Sequence, residues 1–210
     1  ALDALPYLLL AALAVFFQVI ANNRFLGYLL TIVWLVASLI GFGLLGWEHH
    51  LYNFGTAPAT PYSDLNGFGH FLSGALWFDG YWTLLAIAMT VMAALFWVRG
   101  SVQGWRERKR EARARFTPPM RLALILALAG FALCGGWIYY NTNVLNAYRT
   151  GDDANRLRAD YEKQYARYAG LAQPRITAVQ ADVDLDPARR RLHLVAHMTL
   201  VNRHDAPIRE

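Results

Sequence analysis

Four stretches of this 210-residue chain, Leu5 to Ile20, Phe25 to Trp47, Tyr81 to Val98 and Leu122 to Tyr140, contain no Asp, Glu, Lys, Arg or His. About 20 apolar residues in a helix span the hydrocarbon core of a bilayer. Helix is also the one open-ended structure that satisfies its own backbone in lipid. The last three runs reach that length, and the first, with Pro6 near its start, falls about a turn short. With 56% hydrophobic and 17% charged residues, the runs predict a mainly α fold of polytopic membrane helices, about four spans in all.

Charge supplies an orientation. Residues 21 to 98 hold one Arg and no Lys, whereas residues 99 to 121 hold eight Arg or Lys against two Glu. Basic loops stay on the cytoplasmic side, so residues 99–121 are expected there as a basic cytoplasmic segment. Residues 48–80 and the chain after Tyr140 are then outside. The run "RERKREARAR" predicts an amphipathic helix on anionic headgroups. It lacks the interleaved aromatic and amide side chains of a nucleic-acid surface, so no nucleic-acid partner is expected. Cys134, the one cysteine, lies in an apolar run and reads as an inert buried thiol. The chain opens on Ala1 almost directly into apolar sequence, which suggests a piece of a longer protein.

Two motif matches fail on context. "GFGLLG", Gly41 to Gly46, fits a dinucleotide fingerprint but lies in a membrane run with no strand before it, and reads instead as small residues for close helix packing. "HLVAH", His193 to His197, has the spacing of a zinc-protease helix, but Leu194 stands where the catalytic Glu belongs. On a strand the two histidines would be about 13 Å apart, too far to share a zinc.

Between the second and third runs, "PYSDLNGFGHFLSGALWF" (61–78) places Leu65, Phe68, Leu72 and Leu76 opposite Ser63, Asn66, His70 and Ser73 on a helical wheel. That pattern predicts a helix lying at the outer interface, with Gly67, Gly69 and Gly74 allowing close approach and Trp77, Phe78, Tyr81 and Trp82 as an aromatic belt. Asp64, Asn66 and His70 are the candidate outer-interface contacts. His70 could also titrate or join His49 and His50 on a metal, but a hydrogen-bonded polar face is the plainer reading.

After Tyr140 the composition becomes that of a soluble segment. Thr150 or Asp152 can cap a helix with Leu157, Tyr161, Tyr165 and Tyr168 on one side and Gly170 as its stop. Beyond Pro174 two strands are expected around a turn at Asp186 and Pro187. Val179, Ala181, Val183 and Leu185 share a face of the first, and Leu192, Leu194, Ala196, Met198 and Leu200 share a face of the second.

"DVDLDPARRRLHLVAHMTLVNRHDAPI" resembles the opening hairpin of the N-terminal β-sandwich of aminopeptidase N-type zinc metallopeptidases. Together with "WEHHLYNFG", "PYSDLNGFGHF" and "WIYYNTNVLNAYRTGDDANRLRADYEKQYARYAGLAQPRIT", it resembles bacterial membrane proteins that join an ABC-type export permease to such a peptidase. The resemblance covers nearly the whole chain. It implies the end of a permease-type domain at 1–98, a last span at 122–140, an extracytoplasmic linker helix within 141–174 and the start of a β-sandwich at 175–210. The location it implies is the bacterial inner membrane, with the C-terminal part extracytoplasmic. Implied partners are the lipid bilayer, a separate ATPase subunit and the rest of the permease and peptidase domains.

The family's zinc helix H-E-x-x-H and its amine-binding G-x-M-E-N loop do not occur in these residues, nor does a phosphate-binding G-x-x-x-x-G-K-[ST] loop. No catalytic, cofactor or metal residue is therefore singled out, and zinc is expected in the missing peptidase domain. The expected function is the membrane-embedded part and junction of such a permease–peptidase protein. The alternative is a pure membrane anchor for a peptidase. The absence of ionisable groups in the four runs argues against an ion-coupled carrier.

Overall fold

The computed structural model describes residues 4–65, 67–98, 104–189, 191–205 and 207–208. The chain divides into two compact units, residues 1–153 and 154–210. In the first, α1 (Leu5–Ala21) is followed by α2 (Arg24–Val36), which runs through a π-helical turn (Ala37–Gly41) into Phe42–Leu44. Then come α3 (Phe71–Phe96), α4 (Trp105–Arg115) and α5 (Pro118–Tyr139), the last continuing through a second π-helical turn, Tyr140–Val144. Helix α6 (Gly151–Tyr165) begins at the end of this unit. The second unit holds strands β1 (Arg175–Asp186) and β2 (Arg191–Val201).

Among the described residues three helices are long and apolar enough to cross a membrane: Arg24–Leu44, Phe71–Phe96 and Pro118–Val144. Helix α1, at 17 residues, is a shorter apolar helix. Pro6 starts it rather than breaking it, because a first-turn amide has no carbonyl to serve and proline's fixed φ suits that place. Helices α1 and α2 form a hairpin about Asn22, whose φ of 49° places it in the left-handed region. Asn23 then caps α2, its side chain accepting from the amides of Phe25 and Leu26.

Helix α3 is the centre of the first unit, packed against α1 and α5. Leu9, Phe78, Tyr81, Trp82, Ala86 and Ile138 form the core, and Tyr81 stacks on Phe131 at 4.3 Å. Three of the four residues expected as an aromatic belt, Phe78, Tyr81 and Trp82, thus point inward; Trp77 alone faces outward, beside Trp137. The reason is that the polar loop before α3 needs donors and edges. The Trp82 indole donates to the Thr56 carbonyl at 3.0 Å, and the ring takes the edge of Phe54. By contrast α2 leaves Phe25, Tyr28, Leu29, Ile32, Val36 and Leu39 exposed, the surface of a helix against lipid or further helices.

The interfacial helix expected over 61–78 is not formed. Ser63 and Gly67 close a tight turn by exchanging backbone hydrogen bonds of 2.8 and 2.6 Å. Gly67 and Gly69 have φ of 57° and 52°, which a right-handed helix cannot accommodate. Helix begins at Phe71, ten residues before the expected start of the third span at Tyr81, and runs unbroken for 26 residues. Asp79 therefore lies on a membrane-length helix, ahead of the run 81–98 that holds no ionisable group. A 26-residue helix is about 39 Å long against a core of about 30 Å, so its first turns can stand clear of the hydrocarbon.

Close packing through glycine also falls elsewhere than expected. Gly46 ends α2 with φ 71°, its amide and that of Trp47 returning to the carbonyls of Gly43 and Phe42, which is the Schellman stop. Nothing lies near a Cβ placed on Gly43, Gly67 or Gly74. The tight approaches are at Gly27, where a Cβ would lie 2.8 Å from the Gln18 Cα, and at Gly135, where one would lie 2.9 Å from the Tyr81 ring.

The second unit follows the sequence closely. β1 and β2 pair antiparallel with Val179 opposite Met198, Ala181 opposite Ala196, Val183 opposite Leu194 and Leu185 opposite Leu192. A bulge between Ile176 and Ala178 keeps Ile176 opposite Leu200. The larger members of this face, Val179, Val183, Leu185, Leu192, Leu194 and Met198, are all exposed. His193 and His197 lie on β2, across from Asp184 and Gln180, and not on a helix.

Candidate functional site

The polar residues of the first unit concentrate at two places, one at each end of its central helix. His49 and Arg108 are its buried polar side chains among the described residues, at 5% and 4% exposure.

At the first place, the loop after α2 turns its polar side chains onto the two π-helical turns. A π turn shifts the backbone ladder and leaves local carbonyls free to take other donors. Asn53 donates to the Ser38 carbonyl at 3.2 Å, and the Ser38 hydroxyl donates to Asn53 Oδ1 at 2.6 Å, in the turn of α2. His49 meets Thr142, in the turn of α5, at 3.1 Å. Its tautomer follows from its neighbours. The Leu51 amide donates to His49 Nδ1 at 3.0 Å, so Nε2 carries the hydrogen and donates to Thr142 Oγ1. The Thr142 hydroxyl in turn donates a hydrogen bond to the Ile138 carbonyl at 2.8 Å.

Protonation of His49 would break the Leu51 bond. Burial lowers its pKa from the usual histidine value, and His50 beside it lowers it further, while Asn143 acts weakly the other way. Burial lowers His50 too; this ring takes the edge of Phe78 and reaches Thr56 through Nδ1 at 3.2 Å. Tyr148 lies 4.6 Å from the His49 ring, its hydroxyl pKa raised by burial and by Glu48 and Tyr52. The Glu48 carboxylate accepts the Gly151 amide at 2.6 Å, a negative charge at the positive end of α6. Thr150 and Asp153 complete that start as a reciprocal cap: the Asp153 amide donates to the Thr150 hydroxyl, and the Thr150 amide to the Asp153 carboxylate.

Of the residues expected at an outer interface, Asp64 and His70 are not gathered into this network. Asp64 is exposed in the tight turn, and His70 sits at the entry to α3 with its ring 4.1 Å from Phe71. Asn66 lies outside the described residues. Among the described residues no three His, Cys, Asp or Glu are grouped so as to hold a metal ion. The network ties the α2–α3 loop to the departing end of α5, and its neutral, desolvated histidines are structural donors and acceptors rather than a nucleophile and its base. Compared with protein families, with characterised proteins and with solved structures, the chain matches none.

The second place was not legible from sequence. Arg108, on α4, donates to the carbonyls of Val19 (2.5 Å), Ile20 (3.1 Å) and Phe96 (3.0 Å), so one guanidinium closes the C-terminal ends of both α1 and α3. Those carbonyls have no partner within their own helices, and the cation faces the negative end of two helix dipoles. Burial lowers the pKa of Arg108, though guanidinium remains charged. Arg115 repeats the device at Leu95 and Trp97 while pairing with Glu111 at 2.8 Å. The signal that could have found it is position: an Arg-rich helix entering just after a span has unpaired carbonyls within reach.

Proposed function

We propose that this chain is the membrane-embedded end of a transport permease, joined at α6 to an aminopeptidase N-like β-domain that opens with β1 and β2. Helix α4 then faces the cytoplasm of a bacterial cell, the α2–α3 loop and the second unit lie outside the inner membrane, and a separate ATPase subunit supplies the energy. The observation that carries the reading is the β1–β2 face, a row of large apolar side chains left exposed over the whole hairpin. Two strands with such a face are stable only as part of a larger sheet or sandwich.

Transport rather than anchorage is supported by the helices. One span suffices to hold a domain at a membrane, yet three membrane-length helices are present among the described residues, α2 is left almost uncovered, and both ends of the bundle are fixed by buried polar side chains. The test is made on the protein isolated from its native membranes in mild detergent, measuring vanadate-sensitive ATP hydrolysis and chelator-sensitive aminopeptidase turnover in one preparation. Both are expected. Peptidase without ATP hydrolysis would replace the transporter by the anchor, and neither would end the reading. Orientation is checked separately with Cys134 changed to Ala: an impermeant thiol reagent on intact cells should label Asn155→Cys and not Arg106→Cys, and the opposite pattern reverses the topology.

A further inference from the structure

Between the end of α3, the outer side of α4 and the second turn of α5 runs a groove of about 260 Å³, lined by Met92, Leu95, Phe96, Ala112, Phe116 and Leu124 with Lys109 and Arg113 beside them. Apart from those two cations its lining is apolar. We infer that this groove holds one membrane phospholipid with an anionic headgroup, its phosphate against Lys109 and Arg113 and an acyl chain along Met92 and Leu124.

The depth of the parts fits this occupant. Leu95 and Phe96 end the 26-residue helix α3, so Lys109 and Arg113, which α4 carries across that end, stand at headgroup level. Met92 lies one turn further in and Leu124 is in the second turn of α5, both at acyl-chain depth. The two cations are spaced i, i+4 and therefore share one side of α4. Both are exposed, whereas Arg108 and Arg115, on the inner side, are already engaged with carbonyls. The 105–115 helix thus divides its basic residues, one set closing helix ends and the other facing outward beside an apolar slot. A soluble anion would use the charges and leave the slot bare; a lipid uses both. The inference needs only that α3 and α5 cross a membrane, and it stands or falls apart from the transport reading.

The experiment places the 210-residue chain in nanodiscs of phosphatidylcholine with a minor share of phosphatidylglycerol, and counts lipids retained after mild detergent release by native mass spectrometry. One retained phosphatidylglycerol is expected. Lys109→Gln and Arg113→Gln should each lower its retention about fivefold, the contribution of one basic group near an anionic surface. Leu124→Trp, which fills the slot and leaves every charge in place, should also expel it. Arg106→Gln with Arg110→Gln removes equal charge from the same helix at residues that do not line the groove, and should leave it bound. Equal loss in that control pair would show diffuse surface attraction and overturn the site. So would retention in Leu124→Trp, or full displacement by millimolar glycerol phosphate, which has the headgroup chemistry without the chain. Unchanged melting of the Lys109 and Arg113 variants separates lipid loss from misfolding.

Discussion

Replacing Arg108 by Ala should unfasten one end of the bundle. The guanidinium makes three hydrogen bonds to main-chain carbonyls, two on α1 and one on α3. A hydrogen bond with a charged partner contributes about 1.5–3 kcal/mol, so the gross interaction is roughly 5–9 kcal/mol. Against this stands the desolvation of a buried cation, which returns to water when the chain unfolds. The freed carbonyls, lying at helix ends, also regain water in the variant. A net loss of about 2–4 kcal/mol is expected. Arg108→Lys keeps the charge but offers one compact ammonium where a fork bridges two helices, and should lose about half as much. Arg110→Ala, two residues along the same helix but exposed, should stay within about 0.5 kcal/mol of the parent. The assay is reversible unfolding in mixed micelles titrated with dodecyl sulfate and followed by tryptophan fluorescence. Amide exchange in the last turns of α1 and α3 is measured alongside, and should rise in Arg108→Ala alone. If Arg108→Ala unfolds with Arg110→Ala and exchange at those turns is unchanged, the clamp does not hold the helices.

Stability should also fall in acid through His49 and His50. Both rings have pKa values below the ordinary 6.5, so the unfolded chain binds the proton more tightly than the fold. Their contribution is whole above about pH 6.5 and declines as pH drops through the lowered folded values. Tyr148 beside the pair has its pKa raised and so keeps its proton across that window; His49→Gln should flatten the unfolding curve between pH 7 and 5, about the range in which histidine titrates, and an unaltered slope would rule the ring out. Helix spacing gives another contrast. A Cβ on Gly27 would meet the Gln18 main chain at 2.8 Å, whereas one on Gly130 meets only the flexible Leu84 tip at 3.1 Å. Gly27→Ala should therefore destabilise by about 1–3 kcal/mol, while Gly130→Ala should be neutral or gain up to about 1 kcal/mol from helix propensity; the same micelle titration reads both, and equal losses would refute the packing.

What the sequence revealed depends on how local the signal is. The two strands and their apolar faces were legible because strand alternation and the Asp186–Pro187 turn are local, and the register follows once the apolar face is shared. The α6 start was legible to within two residues, with Thr150 one of the two caps expected, since a cap and its partner lie three residues apart. The stretch 61–78 failed because spacing of Leu65, Phe68, Leu72 and Leu76 reports a helical period only where the backbone can follow it. Gly67 and Gly69 take positive φ and interrupt it before Phe71. Periodicity has no term for that choice, although two glycines two residues apart were a warning.

The two buried polar sites lie beyond any local pattern. His49 reaches Thr142 across 93 residues and Arg108 reaches Val19 across 89. Their placement nevertheless has one physical cause. A helix bundle in lipid satisfies its backbone everywhere except at helix ends and π turns, and polar side chains are drawn to those points because nothing else in an apolar interior will accept them. Arg108 goes to two helix C-termini, where a cation is favoured, and His49 goes, neutral, to a hydroxyl in a π turn, where a charge is not. The apolar runs therefore fix where the helices lie, while the few polar residues inside them or beside them mark where the backbone of those helices is incomplete. Ser38 and Thr142 are further members of that class, and the α2–α3 loop closes over both.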